Sequence, residues 1–191
     1  MKRIIAVGAI CALLATAASA DFGTVDLKYR GPYDSPKLWL TSTVTDTDAS
    51  NPVNQSNTVT GIYRHDLSNY TGTLPIEMGT VDSFCLDILD SPATNSSKTY
   101  TVKALEDTPE GPAGPMLGAK ALDIAKILDK YWVDGITKNS AAAVQAAIWE
   151  IVNEDSSTYS LSGGNFTITS FAESTAAQSM LNELGTLTGN V

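Results

Sequence analysis

The sequence is poor in cysteine, histidine and basic residues. Its 191 residues include two cysteines, Cys11 and Cys85, one histidine, His65, and 12 Lys and Arg against 21 Asp and Glu. The shortage of sulfur and imidazole excludes a zinc site built on a cysteine cluster. A lone His65 with no nucleophile-elbow serine argues against a catalytic triad and reads as an exposed loop residue. The acidic balance argues against nucleic acid and anionic membrane surfaces as partners. Beyond the first twenty residues there is no apolar run long enough to cross a bilayer, so no membrane span is expected. Asp46, Asp48, Asp87 and Asp90 lack the spacing of a calcium loop and read as solvated turn residues.

The N-terminus has the pattern of an export signal. Lys2 and Arg3 are followed by the uncharged apolar run Ile4 to Ala17, and Ala18-Ser19-Ala20 is a small-x-small cleavage pattern. The expected product is a secreted or cell-surface protein cleaved after Ala20. Cys11 lies inside the apolar run after Ile10, which does not suit a lipid anchor. Removing 20 residues leaves 171, and the leader takes two of the 12 basic residues, leaving 10 against 21 acidic ones and a formal charge of −11. Such a length buries a proper core without staples. Cys85 is then the sole cysteine of an exported chain, which points to a reactive thiol or an intermolecular pairing.

The mature chain reads as one α+β domain, residues 21–191, with a β-rich part at 21–108 and a helical part at 109–191. Thr24 to Tyr29, Lys37 to Val44, Thr58 to Tyr63, Ser83 to Leu89 and Lys98 to Leu105 read as strands, with Asp46 to Asn57 as a loop. Pro109 to Pro115 marks the boundary. Leu117, Ala121, Ile124, Leu128 and Tyr131 follow helical spacing. Asn139 can cap a second helix running to about Asn153, Phe166 to Ile168 is a further strand, and the capping box Ser170-x-x-Glu173 opens a third helix. Strands first and helices after predict an N-terminal β-sandwich or barrel with three helices packed on it.

Two residues carry chemistry. On the second helix Val144, Ala147, Ile148, Ile151 and Val152 form an apolar stripe, with Glu150, Asn153 and Glu154 opposite. Gln145 falls at the edge of that stripe, where a carboxamide needs a partner. Cys85, on a strand with Phe84, Leu86 and Ile88 on the other face, is easily shielded from water. Each has a plain reading, Cys85 as a small buried hydrophobe and Gln145 as a glutamine bonded to backbone. Together they permit thiol attack on the carboxamide with loss of ammonia. The resulting thioester, walled by Phe84, Ile148 and Trp149, is open to a primary amine.

Phe84-Cys85-Leu86-Asp87, followed sixty residues later by Val144-Gln145-Ala146-Ala147-Ile148-Trp149-Glu150, resembles the bacterial surface thioester domains. Val144 stands where threonine is common, and Gly114-Pro115-Met116 adds to the likeness. The resemblance covers about Val81 to Leu184. It implies that Cys85 and Gln145 cross-link, that the domain is a monomeric adhesin head, and that its partner is an amine-bearing surface protein or polysaccharide matrix. Similar segments occur in exported proteins with a Pro-Glu-Pro sorting tail, associated with exopolysaccharide. Such chemistry is single-turnover and needs no cofactor, so an enzyme is not expected. The alternative is a non-covalent structural or extracellular-matrix protein of the same fold.

Overall fold

The computed structural model describes residues 21–34, 37–47, 52–88, 96–108, 116–155 and 158–188; the leader, Asp48, Asp90 and the Pro109–Pro115 boundary lie outside them. The architecture is α+β, built on two antiparallel sheets and three helices. Strands β1 (Asp21–Pro32), β4 (Tyr63–Gly72), β5 (Gly79–Ser83) and β6 (Ser97–Lys103) form a sheet in the order β5-β4-β1-β6. Strands β2 (Trp39–Asp46), β3 (Val53–Gly61) and β7 (Phe166–Thr169) form a second in the order β3-β2-β7. Helices α1 (Leu117–Tyr131), α2 (Lys138–Asn153) and α3 (Ser174–Asn182) follow, with β7 returning between α2 and α3 to pair with β2. The sheets are separate, not one closed barrel.

The larger core gathers around α2, where every residue from Ala141 to Val152 is buried. A helix apolar nearly all round belongs inside a domain, where several elements cover it. Here α1 and α3 pack on it, together with β2, β3 and β7. Its five alanines at positions 141, 142, 143, 146 and 147 have no exposed surface, and their small side chains let neighbouring backbones come close. A smaller cluster of Val25, Leu67, Val81 and Val102 fills one face of the four-stranded sheet.

Several sequence expectations need correction. The strand expected at Thr58 to Tyr63 is strand on either side of a break at Ile62: residues 58–61 end β3 and Tyr63 opens β4. At the junction Gly61 has φ +153°, where a Cβ would lie 2.3 Å from the Leu38 carbonyl oxygen. Strand β4 extends to Gly72 through polar residues that hid it, and β3 begins inside the expected loop at Val53. Asp46 is not a solvated turn residue, since it ends β2 and is buried. Thr137, not Asn139, caps α2, its side chain accepting from the Ser140 amide at 3.2 Å. The capping box at Ser170 does not form; Ser170 sits at φ +52°, and α3 starts at Ser174.

Glu150 and Glu154 also lie elsewhere than the helical wheel put them. Neither faces water, because the chain from Thr158 to Asn165 folds over that side of α2. Glu150 accepts from the Ser160 amide and Glu154 from the Asn165 amide, at 2.9 Å for the latter. A wheel computes which residues share a face, not whether another segment covers it.

Candidate functional site around Cys85 and Gln145

The segment bearing Cys85 is not a strand. The ladder between β4 and β5 ends at the pair Tyr63 and Ser83, and past Tyr63 the partner chain has turned away at Ile62. Residues 84–88 therefore lack a strand to bond to, and their main-chain groups need other partners. Gln145 supplies them for Cys85. The Cys85 amide donates to Gln145 Oε1 at 2.8 Å, and Gln145 Nε2 donates to the Cys85 carbonyl oxygen at 2.7 Å. The carboxamide thus mimics a neighbouring strand residue, accepting and donating at once. It has no exposed surface, whereas Cys85 is half-buried.

The Cys85 thiol donates to the Asp87 carbonyl oxygen at 3.0 Å. Tyr29 and Tyr63 stand close enough for a charge on Cys85 to add to the effect of burial in raising both their pKa values. Among the described residues Cys85 is the sole cysteine and forms no disulfide.

Of the expected walls, Phe84 and Ile148 line a small cavity of about 90 Å³ beside this segment. Ser83, Leu86, Leu128 and Trp132 line it too. Trp149 lies in the core but does not line the cavity. Its aromatic place is taken by Trp132, which caps α1 and meets the Phe84 ring edge-on, with centroids 5.1 Å apart. The indole N–H of Trp132 is buried with no hydrogen-bond partner among the described residues.

His65 is not an exposed loop residue. It lies in β4, 9% exposed, with Nδ1 3.1 Å from the Ser83 hydroxyl and its ring 5.5 Å from that of Tyr29. Burial lowers its pKa to about 4, so it is neutral near pH 7. Burial raises the Glu150 carboxyl to about 7, with the neighbouring Glu154 charge adding to the rise against the Ser160 amide. Among the described residues no group of three or more His, Cys, Asp or Glu is placed to hold a metal ion, and no helix is long and apolar enough to cross a membrane.

No family model matches the chain, and no curated protein or solved structure matches it significantly. The functional reading therefore stands on the site itself.

Proposed function

We propose that Cys85 and Gln145 form an internal thioester by which this exported domain attaches covalently to a target surface. The observation that carries the reading is the double hydrogen bond between the Gln145 carboxamide and the Cys85 main chain, which holds the two reacting residues together across the fold. Closure begins when Sγ leaves the Asp87 carbonyl and attacks Cδ of Gln145. The carboxamide oxygen then takes on negative charge, and the Cys85 amide, 2.8 Å away, is the donor that stabilises it. The Cys85 carbonyl orients the departing nitrogen through its bond to Nε2. The thiol proton goes to that nitrogen, the C–N bond breaks, and ammonia leaves. The buried setting of Gln145 slows hydrolysis of the product, and an incoming nucleophile later takes the acyl group and returns the Cys85 thiol.

The test is the intact mass of the protein from Asp21 onward, before and after methylamine. The expected mass is one ammonia below the sequence value, with methylamine then adding covalently; Cys85→Ala and Gln145→Ala abolish both effects. A full sequence mass with a titratable thiol and no adduct refutes the reading.

One observation favours a second reading. Both polar atoms of the Gln145 carboxamide are already satisfied, as in a buried structural staple. On that reading the domain is a non-covalent matrix or structural protein, and the same mass measurement separates the two.

A further inference from the structure

The cavity lined by the chain neighbours of Cys85, though not by Cys85 or Gln145 themselves, bears on which nucleophile the site accepts. Phe84 and Leu86 flank Cys85 in sequence, and Ile148 lies one turn along α2 from Gln145. The volume of about 90 Å³ has room for a small polar group with a short carbon body. Its lining is mostly apolar and has no carboxylate. An ammonium entering it would be a buried charge without a counter-ion, which is costly. The polar side chains that line the cavity are Trp132, whose buried indole N–H lacks a partner, and Ser83. An ammonium, the main form of an alkylamine near pH 7, has only donors to offer and cannot satisfy an indole N–H; the neutral amine that could is the minor form. A hydroxyl can accept from Trp132 and donate to Ser83 at once.

Behind Ser83 stands the histidine that the reaction above leaves unused. Its Nδ1 lies 3.1 Å from the Ser83 hydroxyl, and its imidazole is buried against Tyr29. With Nδ1 unprotonated, Ser83 donates to His65 while accepting from a guest.

We infer that the acyl acceptor is a hydroxyl group, as on a carbohydrate, and that Ser83 and His65 carry its proton away. The inference rests on the thioester reading. The guest oxygen attacks the thioester carbonyl carbon, and the carbon–sulfur bond breaks, leaving an ester on the former Gln145 side chain. The guest proton passes to Ser83 as the Ser83 proton passes to His65. It ends on the Cys85 sulfur, which leaves as thiolate, so nothing beyond the acceptor is consumed. Hydroxyls need such a base because they are weak nucleophiles at neutral pH; amines do not. General bases typically contribute about 10²- to 10⁴-fold, and an imidazole of low basicity belongs at the lower end.

The experiment compares glycerol and methylamine as acceptors, followed by intact mass, in the wild type, His65→Gln and Ser83→Ala. Loss of ammonia and an unchanged melting curve in each variant verify that the thioester and fold survive. The expected result is a glycerol ester in the wild type that forms about 10²-fold more slowly in both variants, while methylamine rates stay within about threefold. Water is also a hydroxyl acceptor, so His65→Gln should lengthen the thioester lifetime in buffer. If His65→Gln fails to fold, Ser83→Ala carries the comparison alone. A thioester that takes methylamine but no glycerol, or variants that slow both acceptors equally, overturns the hydroxyl inference only. A wild type that never loses ammonia overturns the thioester reading and this inference with it.

Discussion

Two buried ionisable groups should cancel each other in the pH dependence of stability, and single substitutions should expose them. Glu150 has no exposed surface, and its carboxyl is raised from 4.5 to about 7, chiefly by burial. A raised acid favours the protonated form in the fold, so its stabilising contribution is full below pH 4.5 and is lost as pH rises through 7. His65 behaves oppositely. Burial lowers it from 6.5 to about 4, so its contribution is full above pH 6.5 and is lost as pH falls through 4. Each displacement is about 2.5 pH units, or roughly 3 kcal/mol. Between pH 4.5 and 6.5 the folded chain holds one proton on this pair, on Glu150. The unfolded chain also holds one, on His65. With equal protons bound, the two slopes of about 1.4 kcal/mol per pH unit cancel. Glu150→Gln keeps an acceptor for the Ser160 amide and removes one slope, so its stability should rise with pH across this window. His65→Gln should fall by a similar amount. The pairings that lower Asp26, Asp66 and Glu183 act mainly below the window, because their reference values are 3.8 to 4.5. Urea unfolding at pH 4.5, 5.5 and 6.5 for the three proteins is the assay. A steep wild-type slope, or a flat profile in either variant, refutes the assignment.

Two further outcomes follow from single contacts. Gln145→Ala strips the Cys85 amide and carbonyl of their partner, and with Cys85 half-buried it should cost about 2–3 kcal/mol in urea unfolding, even in protein that never formed a thioester. A loss under about 0.5 kcal/mol would mean that water replaces the carboxamide freely. Gly164→Ala should cost about 2–3 kcal/mol, because Gly164 has φ +97° and its Cβ would fall 1.8 Å from Glu154 Oε2. At 2–4 °C per kcal/mol for a chain of this size, the melting temperature should drop by about 4–12 °C.

The helices were legible because their apolar spacing is regular: Leu117 to Tyr131 reads directly as α1, and the run of alanines and isoleucines as α2. Strands were legible where residues alternate, as in β1 and β6, and illegible where they do not. The segment Tyr63–Gly72 is largely polar, and only its pairing with β1 and β5 makes it a strand. The two residues of the site were legible individually, by the rarity of cysteine and the awkward position of a glutamine on an apolar helix. Their meeting was implied by the family resemblance and is not written in the pattern of either segment, since it depends on where β4 ends. His65 and Trp132 escaped for the same reason. A lone histidine in a polar stretch gives no sign that a sheet will bury it against Tyr29 and Ser83, and a tryptophan at a helix end gives no sign of facing Phe84.

Helix α2 and its C-cap residue carry three buried polar side chains, and each fastens a segment that has no ladder of its own at that point. Gln145 holds the chain after β5 through Cys85, Glu150 holds the turn at Ser160, and Glu154 holds the approach to β7 at Asn165. Burying a carboxamide and two carboxyls is costly unless each is bonded, so a helix built only for packing would carry apolar residues at these positions. The arrangement makes sense if α2 is the frame against which irregular chain is positioned. A site on such a frame is pre-organised: the Cys85 segment can hardly shift relative to Gln145 without also losing both main-chain bonds. On the thioester proposal, the same frame accounts for a pair that combines a buried carboxamide with a half-buried thiol: the acyl carbon would be held on the rigid side, with the thiol on the side that an acceptor can approach.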